Sequence, residues 1–301
     1  MQERELLKQI QSIFARTGKP SLIVPNGDDG AVFSSDQKVI ACADVSVEGV
    51  HFNLEWSNFF EVGRKITAAN LADICAMGGW PSFLLVTLVL PTRHLSGAIE
   101  IARGIAHEAD LVGAQVIGGD ISSGSELSIS ITAFGQTERP LLRSGAKVGE
   151  FLLVSELPGL SAAGLTILAG NAAADSKLAK AAMTQHKSPK VNYEKYRLAY
   201  EKLSSAIDIS DGLITDAGHI AESSEVQIAL QSDALRSSEL KALDETNFMR
   251  WVLEGGEDHV LLGTAKEAID GFTVIGRVLQ GRGVTLDGKE ISAGGYSHSW
   301  S

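Results

Sequence analysis

Six times along this chain an apolar run ends on a carboxylate that stands beside glycine or another small residue. The segments are NGDDGAVF (Asp28, Asp29), ACADVSVEGVHF (Asp44, Glu48, His51), NLADICAMGG (Asp73), VIGGDIS (Asp120), AIDISDGL (Asp208, Asp211) and LEGGEDHVLL (Glu257, Asp258). They carry almost no local lysine or arginine. Burying an ionised carboxylate costs several kcal/mol unless it is paired or coordinated. Taken singly, an Asp beside Gly reads equally well as a turn or a helix cap, and a lone His51 as a structural histidine. Asp73 fits that reading least, because it falls in the middle of a helical pattern of Ala, Leu, Ile, Cys and Met. Recurrence in one chain points to a shared partner, and a hard divalent cation such as Mg²⁺, which takes carboxylate oxygens, water and phosphate, suits it. Glycine beside the acids would let backbone N–H groups approach phosphate oxygens.

The surrounding pattern is of mixed α+β type. Residues 3–16 read as an amphipathic helix with Leu6, Leu7, Ile10, Ile13 and Phe14 on one face. SLIV and KVIACADVSV read as strands, 60–78 as a helix stopped by Gly78-Gly79 and Pro81, and FLLVTLVL as a buried strand. Residues 96–112 read as helix, AQVIGGD as a strand running into a glycine turn, and LSISITAFGQT as an alternating strand. At RSGAKVGEFLLVSE the pattern restarts, which divides the chain into domains 1–140 and 141–301, with the linker near 138–146. Beyond it come helix 161–170, a polar stretch near 171–186, helix 192–204, the strand-turn SAIDISDGL, helix 212–223, further strands and a tail.

Composition removes several function classes. The formal charge of −11 lacks the basic face that nucleic-acid binding needs. No apolar run approaches the roughly 20 residues of a membrane span, and the start MQERELLKQIQSIF has no secretory pattern, so a cytoplasmic protein is expected. Cys42 and Cys75 are expected to be free thiols. There is no G-x-x-x-x-G-K-[ST] loop, no protein-kinase signature, no G-x-S-x-G and no zinc spacing. Carboxylates with glycine turns suggest phosphoryl or nucleotidyl chemistry on a different scaffold.

GDDGAV, VEGVHF, NLADICAMGG-P, GGD, RSGAK, SAAGL, IDISDGL-D-GHI and GGEDHVLL occur in that order between about residues 4 and 296. In this set the chain resembles the thiamine-monophosphate kinase family, of the superfamily that includes aminoimidazole ribonucleotide synthetase. The resemblance implies a two-domain α+β fold: an N-terminal domain whose sheets pair into a barrel across a homodimer, and a C-terminal α+β domain. It implies ATP as co-substrate, several Mg²⁺ ions, and transfer of the γ-phosphoryl group to thiamine monophosphate to give thiamine diphosphate. Asp29, Asp44, Asp73, Asp120, Asp208 and Asp211 would hold magnesium; Gly119, Asp120, Arg143 and Ser210 would contact ATP. Asp211, Asp120 and Arg143 would serve the reacting phosphates, and His51, Glu257, Asp258 and Tyr296 would face thiamine monophosphate.

The chain departs from the family pattern at Cys42-Ala43, where hydroxyl residues are usual before Asp44, at Ile121 after the GGD, and at Ala293, where a tryptophan is frequent. Two alternatives stay open at this level: a relative acting on another small phosphorylated substrate, and a non-catalytic nucleotide-binding relative.

Overall fold

The computed structural model describes residues 3–15, 19, 21–25, 30–170 and 176–291. They form two units, one reaching to Arg139 and the other starting at Pro140 and also taking in Ala76–Gly78.

In the first unit the opening apolar stripe forms helix α1 (Glu3–Phe14), which buries Leu6 and Ile10 and packs on α3; α3 is Gly97–Asp110. A short antiparallel ribbon follows, β1 (Leu22–Val24) with β2 (Val32–Phe33). Strand β3 (Lys38–Val47), helix α2 (Phe59–Ala76), strand β4 (Trp80–Leu90), α3, β5 (Gln115–Ser123) and β6 (Ser128–Thr137) complete the unit. The sheet order is β3-β6-β4-β5, antiparallel except for β4 with β5. Period-two alternation gives the sheet one buried and one open face. Ile129, Ile131 and Ala133 are fully buried, and Leu84 and Leu88 join them. On the other face Val39 and Val45 are 47% and 52% exposed.

Helices α2 and α3 touch backbone to backbone. A Cβ on Gly63 would lie 2.2 Å from the Ile101 carbonyl oxygen, and one on Gly104 would lie 2.1 Å from that of Phe60. Arg64 donates to Glu108 Oε2 across the same contact, through Nε at 2.8 Å and a terminal nitrogen at 2.7 Å.

The second unit is a seven-stranded sheet. Its elements are β7 (Phe151–Val154), α4 (Leu160–Leu168), α5 (Lys177–Lys187), α6 (Tyr193–Ala199), β8 (Ser205–Asp208), α7 (Leu213–Ser224), β9 (Gln227–Leu230), α8 (Ser238–Leu243), α9 (Phe248–Glu254), β10 (Leu261–Ala265), β11 (Thr273–Leu279), β12 (Gly283–Leu286) and β13 (Lys289–Glu290). The order is β13-β12-β9-β11-β7-β10-β8, with β12 and β9 the parallel pair. Leu152, Val154, Ile207, Leu262, Ile275 and Val278 pack with Leu213, Ala217 and Ile220 of α7 in one core.

Several expectations need correction. The GGD segment is not a turn: β5 runs straight through Gly118, Gly119 and Asp120, and a bulge in its pairing with β4 absorbs the irregularity. Strand β4 starts at Trp80, three residues before FLLVTLVL, because a second register shift accommodates Pro81. Within the polar stretch 171–186, residues from 177 onward are helical, with Ser176 Oγ capping Ala179 N at 3.0 Å; residues 171–175 lie outside the described residues. Helix 192–204 stops at Ala199 and tightens into a 3₁₀ turn, Tyr200–Lys202. Helices α8 and α9, of 6 and 7 residues, stand in a region read as strands. The expectation for the thiols stands: neither cysteine forms a disulfide, Cys75 being buried and Cys42 half-buried.

Candidate active site

Strand β8 ends on Asp208, and the chain turns through Ile209–Gly212 into α7. The LEGGEDHVLL segment lies alongside and prolongs the β10–β8 ladder past the ends of both strands. His259 N donates to Ile209 O at 3.0 Å, Ile209 N to Val260 O at 2.9 Å, and Glu257 N to Ser210 O at 2.9 Å. Glycine makes the approach feasible: a Cβ on Gly256 would stand 2.2 Å from the Ser210 carbonyl oxygen. Two apolar runs that pair as strands therefore deliver both acidic turns to one place.

Asp216 organises that place, although its spacing alone reads as ordinary helix. Its Oδ2 accepts from the backbone N–H of Ser210, Asp211 and Gly212, each at 3.1 Å. These donors are thus engaged by a carboxylate, so the turn presents acids rather than the phosphate-cradling N–H groups its glycine suggests. Burial, then repulsion from Asp208 and Asp211, pushes the Asp216 carboxyl up to about 7, against the backbone donors. Asp211, Asp216 and His219 each offer one ligand atom, all within 4.8 Å of one another. Crowded carboxylates of this kind fit a hard divalent cation, which would reverse the repulsion; the His219 nitrogen is the softer member of the set.

Asp258 is of another sort. It is 2% exposed, and its two oxygens accept from Gly159 N and Ser161 N (2.9 Å to Ser161) at the start of α4. Burial pushes its carboxyl up to about 6, opposed by these two donors. Expected to face substrate, it is spent on joining the loop to α4. Glu257 is half-buried, and His186 Nδ1 lies 3.4 Å from its Oε2 and 3.2 Å from Ser161 Oγ. Ser210 is half-buried within the turn. Arg143 sits on an exposed 3₁₀ turn, Arg143–Gly145, whose backbone is tied to α7 by Ser224 Oγ donating to Arg143 O at 2.7 Å.

In the first unit, Asp44 lies on the face of β3 that carries Ile40, Cys42 and Ser46. Cys42 Sγ reaches Asn70 O of α2 at 3.5 Å. Asp44 and Asp73 are both half-buried, the one two residues on from Cys42 along the strand and the other three on from Asn70 along the helix. Asp120 lies on the opposite face of the sheet from Asp44. It pairs with Thr87, which pairs with Ser130, which pairs with Val45, on the open face. Its exposed carboxylate accepts from Ser122 Oγ at 3.0 Å. Gly119 precedes it at φ +153°, and a Cβ there would fall 1.8 Å from Val86 O. His51 Nδ1 accepts from Val47 N at 3.1 Å, which puts the proton of the neutral ring on Nε2. Asp29 and Tyr296 lie outside the described residues, as does Ala293. Asp216 and His219 fall within IDISDGL-D-GHI and His259 within GGEDHVLL, but the sequence alone assigns them no role; the D-x-x-H spacing in SDGLITDAGHI was the available signal for the first two.

The chain is similar to known proteins over most of its length. Residues 27–137 match the family described as AIR synthase related protein, N-terminal domain. The thiamine-monophosphate kinase of Aquifex aeolicus (strain VF5) is 36% identical over 284 residues, covering 90% of this chain and 92% of that one. A crystal structure of thiamine-monophosphate kinase from Stenotrophomonas maltophilia K279a superposes with a TM-score of 0.84 at 28% identity, covering 97% of this chain and 98% of that one. A structure described as AaThiL complexed with AMPPCP and TMP superposes with a TM-score of 0.83 at 33% identity, covering 99% of each chain.

Proposed function

Because the chain belongs to the thiamine-monophosphate kinase family, we propose that it passes the γ-phosphoryl group of ATP directly, in line, to the phosphate of thiamine monophosphate, with magnesium held by its clustered carboxylates. The chain is a kinase, and ATP-dependent phosphorylation of thiamine monophosphate is its reaction. In the balanced step a phosphate oxygen of thiamine monophosphate bonds to the γ-phosphorus, the bond from that phosphorus to the β,γ-bridging oxygen breaks, and ADP leaves.

The observation that supports the metal assignment best is the strand–turn–helix junction of Asp208, Asp211 and Asp216, where three carboxylates crowd one another. In this reading Asp208 and Asp211 hold magnesium in the second unit, and Asp44, Asp73, Asp120 and Asp29 hold it in the first. The chemistry a divalent cation supplies when bound is neutralisation of phosphate charge. The acceptor is already an anionic phosphate, so no strong general base is required. Arg143 and Ser210 contact the nucleotide, and the Arg143 guanidinium lowers the repulsion between two polyanions. His51 and Glu257 face thiamine monophosphate, with Tyr296 near its ring; Asp258 drops out of that set and serves as a cap. The proposal includes a cytoplasmic homodimer in which the open face of the first unit's sheet pairs into a barrel.

ADP release measured with thiamine monophosphate, free thiamine and an aminoimidazole ribonucleotide precursor, each with and without Mg²⁺, tests the reading. Turnover confined to thiamine monophosphate with Mg²⁺ is expected. Turnover with another acceptor, or with none, would replace it by one of the two alternatives.

A further inference from the structure

His259 is a buried histidine at the middle of the junction. Its Nδ1 lies 3.1 Å from Asp208 Oδ2, and the two side chains are 7% and 5% exposed. An ionised carboxylate accepts only, so the ring donates its Nδ1–H. The ring is held there by its own backbone. His259 takes φ +49°, a left-handed conformation uncommon for a residue with a Cβ. Its N–H is bonded to Ile209 O at 3.0 Å, and its carbonyl accepts from the Tyr196 hydroxyl at 2.7 Å. Backbone strain of this kind persists only where the surroundings over-determine it. Here three hydrogen bonds, to Ile209 just past β8, from Tyr196 of α6 and to Asp208, fix one ring against one carboxylate.

We propose that His259 is a positioning residue that fixes the Asp208 carboxylate in the orientation from which it ligates magnesium. The inference rests on the reading of Asp208 as a magnesium ligand. A carboxylate with one oxygen fixed by a ring N–H keeps its other oxygen in a defined direction, and loss of such a supporting partner typically weakens metal binding about 10- to 100-fold.

The test is calorimetric titration of magnesium chloride into the full chain with a non-hydrolysable ATP analogue, for wild type, His259→Ala, His259→Asn and Asp208→Asn. Denaturation midpoints and the KM for thiamine monophosphate are measured on each. Asn carries a donor near the position of Nδ1 and tolerates the left-handed conformation, so it keeps both features that Ala removes. Expected are magnesium affinity at least roughly tenfold weaker in His259→Ala, near-complete recovery in His259→Asn, and an unchanged KM for thiamine monophosphate. Equal weakening in the Ala and Asn variants would overturn the inference, since the ring would then act only by packing. Wild-type affinity in His259→Ala with lost affinity in Asp208→Asn would overturn it while leaving the ligand assignment intact. Wild-type affinity in Asp208→Asn would bring down the ligand assignment and this inference together.

Discussion

Asp258 and Asp73 are both carboxylates in apolar sequence, yet they answer different needs. Asp258 is satisfied by two backbone N–H groups, and burial still keeps its carboxyl up at about 6, above the unfolded value near 3.8. Between those two values the folded chain binds more protons than the unfolded one, so stability falls as pH rises through that window. The contribution of this residue is on the order of 3 kcal/mol. Denaturant unfolding at pH 4 and pH 6.5 should show a smaller loss in Asp258→Asn than in wild type by about 2 kcal/mol, the part of the window those two pH values span; equal losses would refute the assignment. Asp73 stands half-buried on α2. Asp73→Asn removes a charge at constant volume, so the circular dichroism spectrum should be unchanged while the rate of ADP release falls by roughly a hundredfold. Asp208 and Asp211 were legible because DISDG breaks an apolar run. Asp216 and His259 were not: an Asp within a helix and a His within a core look ordinary until the backbone shows three donors on the one and a left-handed turn at the other.

At the scale of elements, α2 and α3 approach each other closely at Gly63 and Gly104. Gly104→Ala would put a methyl group 2.1 Å from the Phe60 carbonyl oxygen, and backbone cannot rotate away as a side chain can. A loss of about 3 kcal/mol is expected from the shift in denaturant midpoint; an unchanged midpoint would mean the helices separate freely. Long elements with a clear period were readable: β3 as KVIACADVSV and β6 by its strict alternation. Short ones were not. The 6 and 7 residues of α8 and α9 span fewer than two full turns, too few for an apolar stripe to declare itself. The path of β5 through its glycines depended on a bulge against β4, a tertiary fact with no local sign.

For the whole molecule, the open sheet face of the first unit is the surface that the proposed homodimer would use. Val39 and Val45 stand out from it in a row with exposed Ala41 and Ala43, where water rather than protein meets apolar side chains. Val45→Asp should convert a particle of twice the monomer mass to a monomer in sedimentation equilibrium, and a wild-type monomer would remove the barrel from the proposal. The apolar pattern restarts at RSGAK, and the second unit starts nearby at Pro140. Neither composition nor charge named the reaction; an ordered set of acidic motifs did. Direct transfer between two phosphates under magnesium is followed with label from [γ-³²P]ATP and thiamine monophosphate, with and without Mg²⁺. Label is expected in the terminal phosphate of thiamine diphosphate, in step with ADP, only when Mg²⁺ is present. Label in inorganic phosphate alone, or in thiamine diphosphate without a divalent cation, would contradict it.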